Sequence, residues 1–155
     1  MVEISDLLAE SAVITALKAS GKKQALQELA AQAAALTGES ERAIFDVLLE
    51  RERLGTTGVG NGIAIPHGKL ASLDQLYGIF ARLEQPIDFD AIDDQPVDLI
   101  FLLLAPESAG ADHLKALARV SRLLRDRAIC EKLRGSDDRD ALFALLTEPA
   151  ASHAA

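Results

Sequence analysis

The stretch GNGIAIPHGK, residues 60 to 69, contains the side chain best suited to chemistry, that of His67. Pro66 fixes its own φ angle and pushes the residue before it into an extended conformation, so a short strand should deliver the imidazole in a defined direction. A neutral imidazole is a good nucleophile towards phosphorus near pH 7, and the partner of one ring nitrogen selects which nitrogen reacts. The pattern alone is equally compatible with a half-buried histidine that ends a strand after an ordinary turn.

Glycines lie on both sides of this histidine in the sequence. Gly60, Asn61 and Gly62 belong to a glycine-rich loop that can adopt positive φ angles and turn its amides inward, as in loops that hold anions. Gly68 has no side chain, so another molecule could approach the imidazole closely. We therefore expect these four residues to form a loop that cradles a phosphate.

Two further side chains are candidates for the same site. Arg51 lies near the end of a predicted helix, and its planar guanidinium could clamp phosphate oxygens if it reached the glycine-rich loop. His113 opens a later predicted helix, and the amino terminus of a helix favours anions. Taken by themselves, Arg51 is more often a solvated charge and His113 more often a surface histidine in the first helical turn.

Hydrophobic periodicity predicts the helices that would position these residues. The first spans residues 22–36 and ends at Gly38, and the second spans 41–54 with Ser40 as its amino-terminal cap. The third spans residues 112–126, with Asp112 as its cap. Its predicted buried stripe consists of Leu114, Leu117, Ser121 and Leu124. A last helix is predicted behind Ser136.

Two segments are predicted to be strands. Alternating residues over 77–84 indicate one strand, and the apolar run VDLIFLLLAP, residues 97–106, is typical of a central strand buried on both faces. Helices and strands interleave along the chain, which predicts an α/β fold with helices packed against a sheet. Residues 1–147 are predicted to form one domain, followed by a flexible tail, 148–155, that contains a solvated His153.

Composition excludes several classes of function. The chain has 155 residues and a formal net charge of −8, so phosphate backbones and anionic lipid would be repelled. Cys130 is the single cysteine, which rules out an internal disulfide and suits a reducing cytoplasm. The longest apolar run, residues 99–105, is too short to span a bilayer, and the acidic amino terminus does not match a signal peptide. We expect a cytoplasmic protein that neither binds nucleic acid nor inserts into membranes.

Taken together, RERLGTTGVGNGIAIPHGKL closely resembles the active-site stretch of the EIIA domains of the bacterial phosphotransferase system, and most nearly that of their nitrogen-regulatory branch. PIDFDAIDDQPVDLIFLLLAP is similar to the central strand region of that family. DHLKALARVSRLLRD is similar to the helix that follows it. Roughly residues 3–147 can be placed on the family pattern in the right order.

The resemblance implies a fold and a set of roles. The fold would be the mannitol-type EIIA fold, a mixed central β-sheet flanked by helices on both faces. His67 would be phosphorylated on Nε2, Arg51 would lie beside the phosphohistidine, and His113 would be the second active-site histidine. The donor would be NPr, an HPr-like phosphocarrier, and regulatory target proteins would read the phosphorylation state. No cofactor and no metal are expected.

Three alternatives remain open on the sequence. A sugar-specific EIIA, of fructose or mannitol type, would pass the phosphoryl group to an EIIB permease domain. A metal-dependent hydrolase would use His67 and His113 with a carboxylate such as that of Asp112, although the spacing of these residues is poor for a metal site. A binding module would have kept the fold and lost phosphorylation.

Overall fold

A six-stranded mixed β-sheet lies at the centre of the molecule, for which the computed structural model describes residues 3–148. The strands are β1 Val13–Leu17, β2 Gly58–Gly60, β3 Ile63–Ala64, β4 His67–Leu70, β5 Tyr77–Ile87 and β6 Val97–Pro106. The α-helices of the described residues are α1 Lys22–Thr37, α2 Glu41–Arg53, α3 Ala111–Arg125, α4 Arg127–Arg134 and α5 Arg139–Thr147, and two short 3-10 helices, Ile4–Asp6 and Glu10–Ala12, precede β1. This arrangement confirms the predicted α/β class.

The sheet runs in the order β1-β5-β6-β3-β2, and β4 also pairs with β6. β5 and β6 are antiparallel, whereas β3 and β4 both run parallel to β6. Because β5 takes one edge of β6, β3 and β4 must follow each other along its other edge. Only Ile65 and Pro66 separate them, so His67 begins β4 directly after this break.

Strand β6 is the centre of the hydrophobic core. Every residue from Leu99 to Ala105 is buried, on both faces of the strand. The uninterrupted apolar run predicted this burial correctly, because a strand that is covered on both faces needs no polar alternation. β4 pairs with this buried strand, and the pairing fixes the position of His67 at the start of β4.

The predicted end of the first helix and the predicted start of the second are confirmed. α1 ends at Gly38, whose φ of 78° is the left-handed conformation that favours glycine. α2 begins after Ser40, whose side chain accepts a hydrogen bond from the Ala43 amide. The end of α2 carries Arg51 towards the sheet.

The predicted buried stripe of α3 is correct at Leu124, which is buried, and wrong at Leu114. Leu114 is 67% exposed, and the buried positions of the helix are His113, Ala116, Val120 and Leu124. Both stripes have helical spacing, and the smaller side chains of the real one allow the helix to come close to the sheet. The amino-terminal cap of α3 is Gly110 and not Asp112. Asp112 lies within the first turn of the helix and is exposed.

Four strands and α-helices of the described residues were not predicted, namely β1, β2, β4 and α4, and the start of α5 was misplaced. α4 begins after Asp126, whose carboxylate caps the Ala128 and Ile129 amides. α5 begins after Asp138, two residues later than predicted, because the carboxylate of Asp138 accepts from the Ala141 amide. Of the predicted tail 148–155, residues 149–155, with His153, lie outside the described residues.

Candidate phosphoryl-transfer site

His67 is held in a single tautomer by its own strand break. Its Nδ1–H donates to the carbonyl oxygen of Ile65 at 2.9 Å. That bond leaves Nε2 as the nitrogen with the free electron pair, and Nε2 accepts from the Nε–H of Arg51 at 3.2 Å. The two contacts assign the proton to Nδ1 and the nucleophilic electron pair to Nε2.

Arg51 reaches this position from the last turn of α2, where a cation suits the helix dipole. The same guanidinium makes a second contact, because its Nη1–H donates to the carbonyl oxygen of Gly55 at 2.9 Å. The side chain therefore joins the imidazole to the turn that follows the helix. Sequence reasoning had favoured a solvated charge when Arg51 was considered alone.

His113 lies next to His67 and is 6% exposed. The two ring centroids are 5.7 Å apart, with the ring planes inclined by 55°. The Nδ1 atom of His113 is buried and has no hydrogen-bond partner within residues 3–148. An unpaired polar atom in such a place costs free energy, which is typical of a functional group rather than of a packing residue.

The environment keeps both histidines uncharged. Burial is the main cause that lowers the pKa of His67. The hydrogen bond to the Ile65 carbonyl opposes this shift, the nearby Arg51 charge lowers the pKa further, and Glu52 has a smaller raising effect. Burial likewise lowers the pKa of His113, aided by His67 and Lys69. At neutral pH the electron pair on His67 Nε2 is therefore available.

These groups line one open cleft of about 360 Å³. Its walls consist of Val47, Glu50, Arg51, Leu54, His67, Gly68, Lys69 and His113. Arg51 contacts the Nε2 atom, Lys69 and His113 line the same cleft, and the acidic Glu50 in the lining is paired with Arg53. Leu54 also lines the cleft, with 82% of its surface exposed. The arrangement suits a small anion that arrives from outside.

Gly68 has a packing role that the sequence did not reveal. A Cβ atom at this position would lie 2.3 Å from Cγ1 of Val47, so the absent side chain lets α2 approach β4. The group that comes close to Gly68 is therefore the Val47 side chain of the same protein, not another molecule. This close approach brings Arg51 to the imidazole.

The structure does not bring the turn of Gly60, Asn61 and Gly62 to the cleft. This turn joins β2 to β3, and β3 pairs with β6 at Leu99, four residues from the position opposite His67. Four residues of strand correspond to about 13 Å. All three residues have positive φ angles, as the glycine-rich pattern predicted.

The turn has partners of its own at that place. The Asn61 amide donates to the carboxylate of Asp93 at 2.9 Å, and the Asn61 carbonyl accepts from Arg134 at 2.7 Å. A Cβ atom on Gly62 would lie 2.5 Å from the Arg134 guanidinium. The anion that this turn holds is thus a carboxylate of the same chain.

Comparisons with known proteins identify the family of this chain. Residues 6–148 match the family described as "Phosphoenolpyruvate-dependent sugar phosphotransferase system, EIIA 2". The chain belongs to this EIIA family.

Several relatives of this EIIA domain carry the name nitrogen regulatory protein. The protein from Bradyrhizobium diazoefficiens is 64% identical over 151 residues, which cover 97% of this chain and 99% of the relative. The one from Escherichia coli K12 is 40% identical over 149 residues, 95% of this chain and 91% of the relative. The resemblance to the nitrogen-regulatory branch is confirmed.

Solved structures support the fold of the EIIA domain. The nitrogen regulatory protein IIA-Ntr from Neisseria meningitidis superimposes with a TM-score of 0.89 at 35% identity, covering 93% of this chain and 99% of that one. The IIA mannitol protein of Escherichia coli superimposes with a TM-score of 0.75 at 23% identity, over 89% and 97% of the two chains. At that identity the second likeness concerns the fold alone, and it confirms the mannitol-type prediction.

A buried carboxylate beside the EIIA site was missed by sequence reasoning. Glu52, 8% exposed, accepts from Lys22 Nζ at 2.9 Å and from the Thr57 amide at 3.0 Å, and it also bonds the Thr57 hydroxyl. The signal was present in the sequence, because Glu52 continues the four-residue spacing of the buried Ile44 and Leu48. It ties the end of α2 to the start of β2.

No helix within residues 3–148 is long and apolar enough to cross a membrane. The same residues contain no group of three or more histidine, cysteine or acidic side chains arranged to hold a metal ion. Asp112, the carboxylate considered for a metal-dependent hydrolase, is exposed at the start of α3.

Proposed function

We propose that this EIIA domain is a cytoplasmic phosphoryl carrier of the nitrogen-regulatory phosphotransferase system. It accepts a phosphoryl group on Nε2 of His67 from the HPr-like carrier NPr, and its phosphorylation state regulates target proteins. The observation that carries the proposal is the tautomer of His67, with Nδ1–H bonded to the Ile65 carbonyl and Nε2 facing the guanidinium of Arg51.

The transfer step needs little covalent chemistry from the protein. The electron pair on Nε2 attacks the phosphorus of the donor phosphohistidine, the new P–N bond forms, and the electrons of the broken P–N bond return to the donor imidazole. The ring of His67 gains positive charge while Nδ1 keeps its proton. The Ile65 carbonyl, already 2.9 Å from Nδ1, stabilises that charge.

Arg51 and His113 act on the phosphoryl oxygens. Once phosphorus occupies Nε2, the guanidinium gives up its bond to that nitrogen and can donate to the oxygens instead. His113 has an unpaired Nδ1 and a ring within 5.7 Å of His67, so it is well placed to serve the same group. Positioning and charge stabilisation are thus the contributions expected of the two residues.

Phosphorylation also supplies the signal. A phosphoryl group adds close to two negative charges at pH 7 to a chain that already has a net charge of −8. A target protein that packs over unmodified His67 would meet repulsion and lose contacts, whereas one that presents arginines would gain affinity. One histidine can therefore control more than one partner.

A second candidate is the sugar-specific carrier. A relative from Haloferax volcanii, named PTS system fructose-specific EIIA component, is 43% identical over 106 residues, 68% of this chain and 69% of the relative. Such a function predicts transfer from His67 to the EIIB domain of a sugar permease. Incubation of the phosphorylated protein with fructose- and mannitol-type EIIB domains distinguishes the two candidates, because a purely regulatory carrier would keep its phosphoryl group.

The test of the main proposal is incubation with phosphoenolpyruvate, the first enzyme of the system and NPr, followed by intact-mass measurement and ³¹P NMR. Wild type should gain one acid-labile phosphoryl group with an Nε2-phosphohistidine signal, and His67→Ala should gain none. If His67→Ala took up phosphate at the wild-type rate, the proposal would be wrong. If wild type took up none while the donors phosphorylated a control acceptor, the chain would be a binding module that keeps the fold.

A further inference from the structure

Both ring nitrogens of His67 are connected through hydrogen bonds to residues 54–57, which we call the 54–57 turn. Nε2 is connected through Arg51, whose guanidinium bonds it at 3.2 Å and bonds the Gly55 carbonyl at 2.9 Å. Nδ1 is connected through Ile65, whose carbonyl accepts from the imidazole and whose amide donates to the Thr57 carbonyl at 3.0 Å. His67 is therefore linked to Gly55 through Arg51 and to Thr57 through Ile65.

The two halves of the 54–57 turn differ in how firmly they are held. The second half is anchored, because Thr57 is buried and bonded to Glu52, and the Thr56 hydroxyl donates to the Phe89 carbonyl at 3.1 Å. The first half has few restraints. Leu54 is 82% exposed, and a Cβ atom added to Gly55 would meet no heavy atom within 4 Å. Its shape depends on hydrogen bonds at the end of α2 and on Arg51.

We infer that Arg51 transmits the phosphorylation state of His67 to the first half of the 54–57 turn, an inference that rests on the proposed function. A phosphorus atom bonded to Nε2 must occupy the 3.2 Å gap between that nitrogen and Arg51 Nε. The guanidinium has to withdraw, and because it is planar and rigid, all its nitrogens move together. The bond to the Gly55 carbonyl then breaks, or Gly55 follows the guanidinium.

This movement changes the surface around the site. Leu54 lines the same cleft as His67 and is one of the most exposed apolar side chains of the described residues. A target protein with an apolar pocket for a single leucine would find Leu54 in one position before phosphorylation and in another afterwards. Such a protein could distinguish the two states by shape, in addition to the charge of the phosphoryl group.

The experiment is a comparison of backbone amide NMR signals and exchange rates in the full-length protein. Wild type is measured before and after stoichiometric phosphorylation, with the extent checked by intact mass. Arg51→Ala is measured without phosphorylation, so that this arm does not depend on transfer. Arg53→Ala is the matched control, because Arg53 lies two residues further along α2 and pairs with Glu50 on the solvent side at 3.1 Å.

Phosphorylation should shift the amide signals of Gly55 and Thr56 and speed exchange at the Gly55 amide. The bond that is lost has a charged donor, the Arg51 guanidinium, so its loss predicts an increase of roughly tenfold. Arg51→Ala should show the same change without a phosphoryl group, while the signals of strand β5 stay in place and show that the protein is folded. Arg53→Ala should match wild type at the turn.

Two results would overturn the inference. One is a fully phosphorylated wild type whose Leu54, Gly55 and Thr56 signals do not change. The other is an Arg51→Ala protein whose turn signals equal those of wild type. A wild-type protein that gains no phosphoryl mass would instead overturn the proposed function, and the inference with it.

Discussion

The Nε atom of Arg51 lies 3.2 Å from Nε2 of His67, so the nitrogen assigned to the phosphoryl group is the nitrogen that the guanidinium covers. Attack on phosphorus requires that this contact be given up, and the positive charge then remains beside the new phosphoryl group. Arg51 thus covers the electron pair of Nε2 before transfer, and the same side chain stabilises the phosphoryl group after transfer. The contact depends on the close approach of α2 to β4, which Gly68 permits.

Removal of this guanidinium should slow phosphoryl acceptance. Arg51→Ala deletes a charged donor that can face the transferring oxygens, and losses of this kind are about 10²-fold in rate. Rapid-quench measurement of transfer from phosphorylated NPr gives the rate directly. Arg53→Ala, which removes only an exposed ion pair with Glu50, is the control and should transfer at nearly the wild-type rate. Equal losses in both variants would refute the assigned role of Arg51.

Replacement of His113 by leucine should stabilise the protein and impair its function. The buried Nδ1 has no partner within the described residues, so its removal should raise the free energy of unfolding by about 1 kcal/mol. The phosphoprotein should lose its phosphoryl group faster, which ³¹P NMR measures over time. His113→Gln is the control, since it keeps polar atoms in the same place and should bring no gain in stability. A less stable His113→Leu protein would show that Nδ1 is not orphaned.

The stability of the protein should fall as the medium becomes mildly acidic. Burial lowers the pKa of His67 and of His113 below the ordinary value of 6.5. The unfolded chain therefore binds protons at a higher pH than the folded one, so the free energy of unfolding decreases as pH drops through about 6.5 and levels off below the folded pKa values. Urea unfolding from about pH 8 to about pH 5 measures this slope.

The control for this pH dependence is a variant in which both histidines are glutamine. Subtraction of its profile removes the contribution of carboxylates, which also begin to titrate at the acidic end. As the pH falls, the free energy of unfolding of wild type should decrease more than that of the variant. A difference that stays constant over the whole range would contradict the lowered pKa values.

A methyl group on Gly68 should disturb the packing between α2 and β4. Its Cβ atom would lie 2.3 Å from Val47 Cγ1, and overpacking of this kind costs typically about 1–3 kcal/mol. Val47→Ala removes the obstructing methyl group, so the double variant should recover part of the lost stability in a double-mutant cycle. Gly135→Ala is the control, because its nearest atom, the Glu131 carbonyl oxygen, lies at 3.4 Å. A purely additive cycle would refute the clash.

The sequence alone determined those features for which the signal is local. The helix that ends at Gly38, the helix that starts behind Ser40 and the doubly buried strand β6 all follow from caps and periodicity within a few residues. The importance of His67 was also visible, because its proline and glycine neighbours are adjacent in the chain. The resemblance to EIIA domains added Arg51 and His113.

Tertiary structure decided the features that depend on distant partners. Two apolar stripes of α3 have the same helical spacing, and packing against the sheet selected the one that buries His113 rather than Leu114. The anion-holding geometry of Gly60, Asn61 and Gly62 was predicted, but Asp93 and Arg134 occupy that turn about 13 Å along β6 from the imidazole. Spacing in a chain defines which conformations are allowed, whereas the groups that meet are chosen by the packing of elements far apart in sequence.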